Sequence, residues 1–109
     1  MIDSINIHPK DLETVQAILA KHVPELEVRA FGSRVQWTAR KTSDLDLAIM
    51  TDTPIDALSM ADLREAFSES DLPFKVDIVD WATTKANFRQ LIKNKYTVIQ
   101  NKKSVKSKP

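Results

Sequence analysis

The sequence predicts an α/β (α+β) domain: a mixed sheet of three strands, with a place for a fourth, flanked by helices. Three observations carry this. Apolar residues recur at helical spacing in some segments and in short alternating or continuous runs in others. Prolines fall where one element should give way to the next, and the connection lengths dictate how the strands pair. At 109 residues the chain makes one domain, with 1–100 as the folded body and 101–109 as a tail.

Pro9 suits the first position of a helix running to about His22, with Leu12, Val15, Ile18 and Leu19 at helical spacing. Pro24 closes that segment, and a strand over Leu26 to Phe31 ends at Gly32. About two helical turns fit between Ser33 and Arg40, before a buried strand over Leu45 to Met50. Ser59 is the expected N-cap of the next helix, with Asp62 three residues on and Leu58 placed to staple onto Leu63. That helix should reach about Ser70. A strand over Phe74 to Val79 follows Pro73, and Thr83 or Thr84 should cap a last helix with Phe88, Leu91 and Ile92 on its apolar side. Eleven residues separate Gly32 from Asp44, too few for a parallel crossover, so the first two strands are antiparallel neighbours. A whole helix lies between the second and third strands, which can therefore run parallel.

Apolar residues make up 42% of the chain and charged residues 28%, the balance of an ordinary globular protein. There is no cysteine, which excludes disulfide scaffolds, thiol catalysis and cysteine zinc sites. No apolar run approaches the ~20 residues of a membrane span, and Met1 to Lys10 does not look like a signal peptide, so a cytoplasmic protein is expected. The net charge of +1 hides an asymmetry. Without Lys102, Lys103, Lys106 and Lys108 of the tail, the body holds 12 basic against 15 acidic residues. An acidic body does not predict direct nucleic-acid binding, and the lysine-rich tail reads as disordered solubilising sequence.

Three features can carry chemistry. Gly32 ends a strand before a helix start, where a glycine allows positive φ and close backbone approach, and where free N–H groups favour phosphate. Ser33 adds a hydroxyl and Arg34 a permanent positive charge; taken alone, a helix cap after a tight turn explains these residues more simply. In Asp44-Leu45-Asp46-Leu47-Ala48-Ile49, period two puts Asp44 and Asp46 on one face and the aliphatics on the other. Two like charges there repel, which a solvated face tolerates and a divalent cation would turn into coordination. Asp77 interrupts an apolar strand, at a cost unless its charge is compensated, whereas Asp80 reads as a turn or helix-start residue. With the second and third strands parallel, Asp46 and Asp77 lie at similar height, and Gly32 ends the first strand at the same sheet edge.

Gly32-Ser33, ten residues, then Asp44-Leu45-Asp46 resembles the signature of the minimal nucleotidyltransferases of the DNA polymerase β-like superfamily. Thr38-Ala39-Arg40, Ser43 and Val76-Asp77-Ile78-Val79 are also similar to that family, over roughly residues 10–95. After Arg34 the chain departs from it, with Val35, Gln36 and Trp37 where members commonly have a small residue, a basic residue and glycine. The resemblance implies the nucleotidyltransferase fold, a nucleotide triphosphate held by Gly32, Ser33 and Arg34, and metal ions bound by Asp44, Asp46 and Asp77, with Asp44 and Asp46 catalytic. Two Mg²⁺ ions, or Mn²⁺, would serve ATP as substrate. In size and motif the chain resembles the antitoxins of two-gene toxin–antitoxin pairs, where such a domain accompanies an all-helical HEPN ribonuclease. The implied reaction is transfer of AMP from ATP to a tyrosine of that partner.

Other readings have discriminating features. A binding-only antitoxin would keep the complex without transfer. A small-molecule nucleotidyltransferase needs an added helical domain for which there is no room. A haloacid-dehalogenase-type phosphatase wants threonine where this chain has Ala48, and D-x-D glycosyltransferases are much longer.

Overall fold

The computed structural model describes residues 4–102. Helix α1 spans Pro9–His22, β1 Val28–Phe31, α2 Ser33–Gln36, β2 Leu45–Ile49, α3 Ala57–Ser68, β3 Val76–Asp80, α4 Ala86–Asn94 and β4 Thr97–Gln100, with a 3-10 turn over Trp81–Thr83. The sheet order is β3-β2-β1-β4. β1 pairs antiparallel with β2, as the short link after Gly32 predicts, and also with β4, while β2 pairs parallel with β3, as the helix between them allows. The place for a fourth strand is filled by β4, next to the lysine-rich end. Its side chains tie it down: Thr97 Oγ1 donates to the Ser4 carbonyl at 2.9 Å, and Gln100 Nε2 donates to the Val23 and Leu26 carbonyls at 2.9 and 2.8 Å. Of the tail, Asn101 and Lys102 are exposed and irregular, and the remainder lies outside the described residues.

The main core lies on one sheet face. Leu12, Val15 and Leu19 of α1 and Leu63 and Phe67 of α3 pack with Val28, Ala30, Leu45, Leu47, Ile49 and Ile78. Each large aliphatic among them contributes about 1.5–3 kcal/mol by leaving water. The alternation read in β2 is what aims Leu45, Leu47 and Ile49 at this core and Asp46 at the other face. On that other face α4 is anchored by Phe88, which meets Phe31 edge-on at 5.7 Å, and its Ile92 is fully buried outside the main core.

Several local expectations are corrected. Asp56, not Ser59, caps α3; its Oδ2 accepts from the Ser59 N–H at 3.0 Å, so the helix starts two residues before Ser59. Leu58 is 77% exposed and makes no staple. Thr83 and Thr84 do not cap α4, because both hydroxyls donate back to the Asp80 carbonyl and Lys85 takes the cap position. On α4 only Ile92 is buried, while Leu91 is 63% exposed. The helix after Gly32 is one turn rather than two, since Trp37 adopts the left-handed conformation and ends it.

Candidate active site

The sheet register assembles the site. Phe31 at the end of β1 faces Asp46, and Asp46 faces Asp77 on β3. Neighbouring strands lie roughly 4.8 Å apart, so the two carboxylates share one face at one height. Asp44 precedes β2 by one residue and belongs to the same face by strand period. Asp44 and Asp77 are exposed, and Asp46 is half-buried.

Gly32 follows β1 with φ +83° and ψ −156°, a region glycine alone occupies readily. Its Cα lies against the Asp46 carboxylate: a β-carbon there would collide with Asp46 Oδ2 and sit 3.2 Å from Asp46 Cγ. The missing side chain is thus what lets the phosphate-loop candidate and the strand carboxylate touch. Ser33 begins α2, and the Val35 and Gln36 N–H groups both donate to the Gly32 carbonyl at 3.0 Å.

The electrostatics follow from this crowding. Burial, then the Asp77 carboxylate, then Asp44, push the Asp46 carboxyl up to about 6. The three acids raise one another's free energy, which is the repulsion a hard cation relieves. Among the described residues, no group of three His, Cys, Asp or Glu already stands in metal-binding arrangement.

Arg34 has a structural task in this fold. Its side chain turns inward and is only 6% exposed. Nε and Nη2 donate to the Ser43 carbonyl at 3.2 and 2.9 Å, Nη1 to Asn6 at 2.9 Å, and Nη2 also to Lys41 at 3.0 Å. The guanidinium also stacks 4.2 Å over Phe74. Burial lowers its pKa, and Asp11 and Asp44 oppose that. Every guanidinium nitrogen donates to a backbone carbonyl, so Arg34 pins Ser43 and thereby positions Asp44. Sequence spacing carries no signal for this, because the three carbonyls come from two distant segments. Ser43 also accepts from the Arg40 N–H through Oγ at 2.8 Å, tightening the same loop.

Asp80 is structural, as its position at the strand end implies. It accepts from the Thr51 hydroxyl, from Ile55 N–H at 2.8 Å and from Ala82 N–H at 3.2 Å, fastening the loop after β2 to the end of β3.

Comparison with known proteins gives the family and the fold. The family described as polymerase beta, nucleotidyltransferase matches residues 13–105. The chain is 50% identical over 105 residues to the probable protein adenylyltransferase MntA of Haemophilus influenzae, covering 96% of this chain and 92% of that protein. Two solved structures share the fold. One is a toxin–antitoxin with AMP-PNP, with a TM-score of 0.69 and 23% identity over 82% of this chain and 72% of that chain. The other is a tri-AMPylated Shewanella oneidensis HEPN toxin in complex with MNT antitoxin, with a TM-score of 0.63 and 21% identity over 83% of this chain and 69% of that chain. Half-identity along nearly the whole chain, on a sheet that brings a glycine turn against a strand carboxylate, makes this protein a member of the polymerase β nucleotidyltransferase family.

Proposed function

We propose that this protein is an antitoxin that transfers AMP from ATP to a tyrosine hydroxyl of a helical HEPN ribonuclease partner and thereby silences it. The observation that carries the transferase is Asp46, pressed against Gly32 and flanked by Asp44 and Asp77. The acceptor and partner come from the half-identical relative named as a protein adenylyltransferase and from the AMPylated HEPN toxin complex. Residues 1–100 act as one minimal domain, in the cytoplasm where ATP is available.

Gly32 holds the turn against Asp46, so that its backbone and the Ser33 hydroxyl meet the triphosphate beside the carboxylates. Asp44, Asp46 and Asp77 would hold Mg²⁺ or Mn²⁺, which supply charge neutralisation at the phosphates and the departing pyrophosphate. The tyrosine oxygen bonds to the α-phosphorus, the bond from that phosphorus to the bridging oxygen breaks, and pyrophosphate leaves with its electron pair. The phenolic proton passes to a neighbouring aspartate carboxylate. Phosphoryl-type transfer needs mainly positioning and charge compensation, which these residues provide without a covalent intermediate.

The test is intact mass spectrometry of a HEPN-type partner protein after incubation with this protein, ATP and Mg²⁺. One or more adenylyl units are expected on the toxin. Asp44→Asn should abolish the gain, and Ser33→Ala should slow it roughly ten- to a hundred-fold, the worth of one hydrogen bond to a charged group. The exposed Asp62, changed to Asn, should leave the rate unaltered. A toxin silenced in a tight complex without any mass change would identify a binding-only antitoxin and overturn the transferase.

A further inference from the structure

Trp37 is the only non-glycine residue with positive φ among the described residues, at +60° with ψ +34°. For a bulky side chain this backbone is strained. The turn itself does not need the indole: the Trp37 and Thr38 N–H groups both donate to the Ser33 carbonyl, an ending that glycine makes without cost. Strain of this kind persists where the side chain serves a purpose.

Every other aromatic ring in the described chain has a partner. Phe31 and Phe88 pair, Tyr96 lies under Arg29, Phe74 under Arg34 and Trp81 under Arg89, while Phe67 is in the core. Trp37 is in none of these and is 56% exposed. It stands at the far end of the one-turn helix that starts beside Gly32, so about 6 Å of helix separates it from the triphosphate candidate. Residues 33–43 contain no acid and include the exposed Arg40 and Lys41, a cationic stretch in an otherwise acidic body.

A flat, unpartnered ring one helical turn from the proposed phosphate-binding turn, with the exposed Arg40 and Lys41 three and four residues on, matches the outline of a nucleotide. We infer that Trp37 is a substrate-contacting residue that stacks on the purine base of ATP. This rests on the proposed transferase and adds the residue that reads the base.

Trp37→Gly tests it, because glycine suits the left-handed backbone and the variant should melt no lower than the parent. Titration calorimetry with Mg²⁺ present should show ATP binding weakened about five- to a hundred-fold, with inorganic tripolyphosphate bound as before. In the transfer assay KM for ATP should rise by more than kcat falls, and Trp37→Phe should recover most of the affinity. ATP affinity within twofold of the parent overturns the inference, as does an equal loss for ATP and tripolyphosphate. So does a weakened toxin complex with ATP affinity intact, which would assign the ring to the partner protein. A parent that binds no ATP overturns the transferase as well, whereas indifference of ATP binding to Trp37→Gly overturns this inference alone.

Discussion

Asp46→Asn should make the protein more stable while destroying its activity. The carboxyl titrates at about 6 in the fold, against 3.8 ordinarily, because burial and the neighbouring Asp77 and Asp44 disfavour its charge. The folded state therefore binds more protons than the unfolded state between those two values, and stability falls as pH rises through that window. Above about pH 6 the deficit is complete. Full conversion of the shift would be about 3 kcal/mol, and the carboxyl's partial contact with water reduces this to about 1–2 kcal/mol. Asparagine keeps the volume and removes the charge. Urea denaturation with EDTA at pH 7.5 should thus show the variant more stable by about 1–2 kcal/mol, with the gap closing to within about 0.5 kcal/mol at pH 4. The comparison cancels groups that titrate alike in both proteins. Adding Mg²⁺ should then stabilise the parent through linkage and leave the variant nearly unmoved. A variant no more stable than the parent at pH 7.5, or a gap that ignores pH, would refute the reasoning.

Two further substitutions separate the roles of the neighbouring residues. Gly32→Ala places a β-carbon on Asp46 and forces alanine into a glycine-only backbone; the two effects should cost at least about 2 kcal/mol in urea denaturation. The penalty should shrink in an Asp46→Ala background, where the collision is gone, and an additive double mutant would contradict the contact. Arg34→Met should cost at least about 3 kcal/mol by leaving the carbonyls of Asn6, Lys41 and Ser43 without their donor. An Arg34→Met protein of unchanged stability but weakened ATP binding would instead return the guanidinium to the nucleotide.

The aliphatic and acidic alternation of β2 was legible from the sequence because it is a property of one segment: period two sends Leu47 inward and Asp46 outward whatever surrounds them. Connection lengths were equally informative, since chain reach alone forbids a parallel crossover over the short link after Gly32. The antiparallel pairing of β1 with β2 follows from them, the parallel pairing of β2 with β3 is allowed by them, and the register that sets Asp46 opposite Asp77 comes from the sheet itself. Capping was less legible. Asp56 and Ser59 both suit an N-cap, and the choice turns on where the chain leaves the loop fastened by Asp80. Strand β4 carries its own signal in the β-branched Thr97, Val98 and Ile99, but its pairing depends on β1 offering an open edge to so short a segment. Arg34 shows the same limit at the site. Its charge suggested phosphate, but a guanidinium takes the nearest strong acceptors, and folding delivers three backbone carbonyls to it before any ligand arrives. The collision that makes Gly32 indispensable and the raised pKa of Asp46 were likewise decided only by the tertiary structure. Desolvation and charge repulsion depend on the groups that pack around a side chain, and those come from strands far apart in sequence.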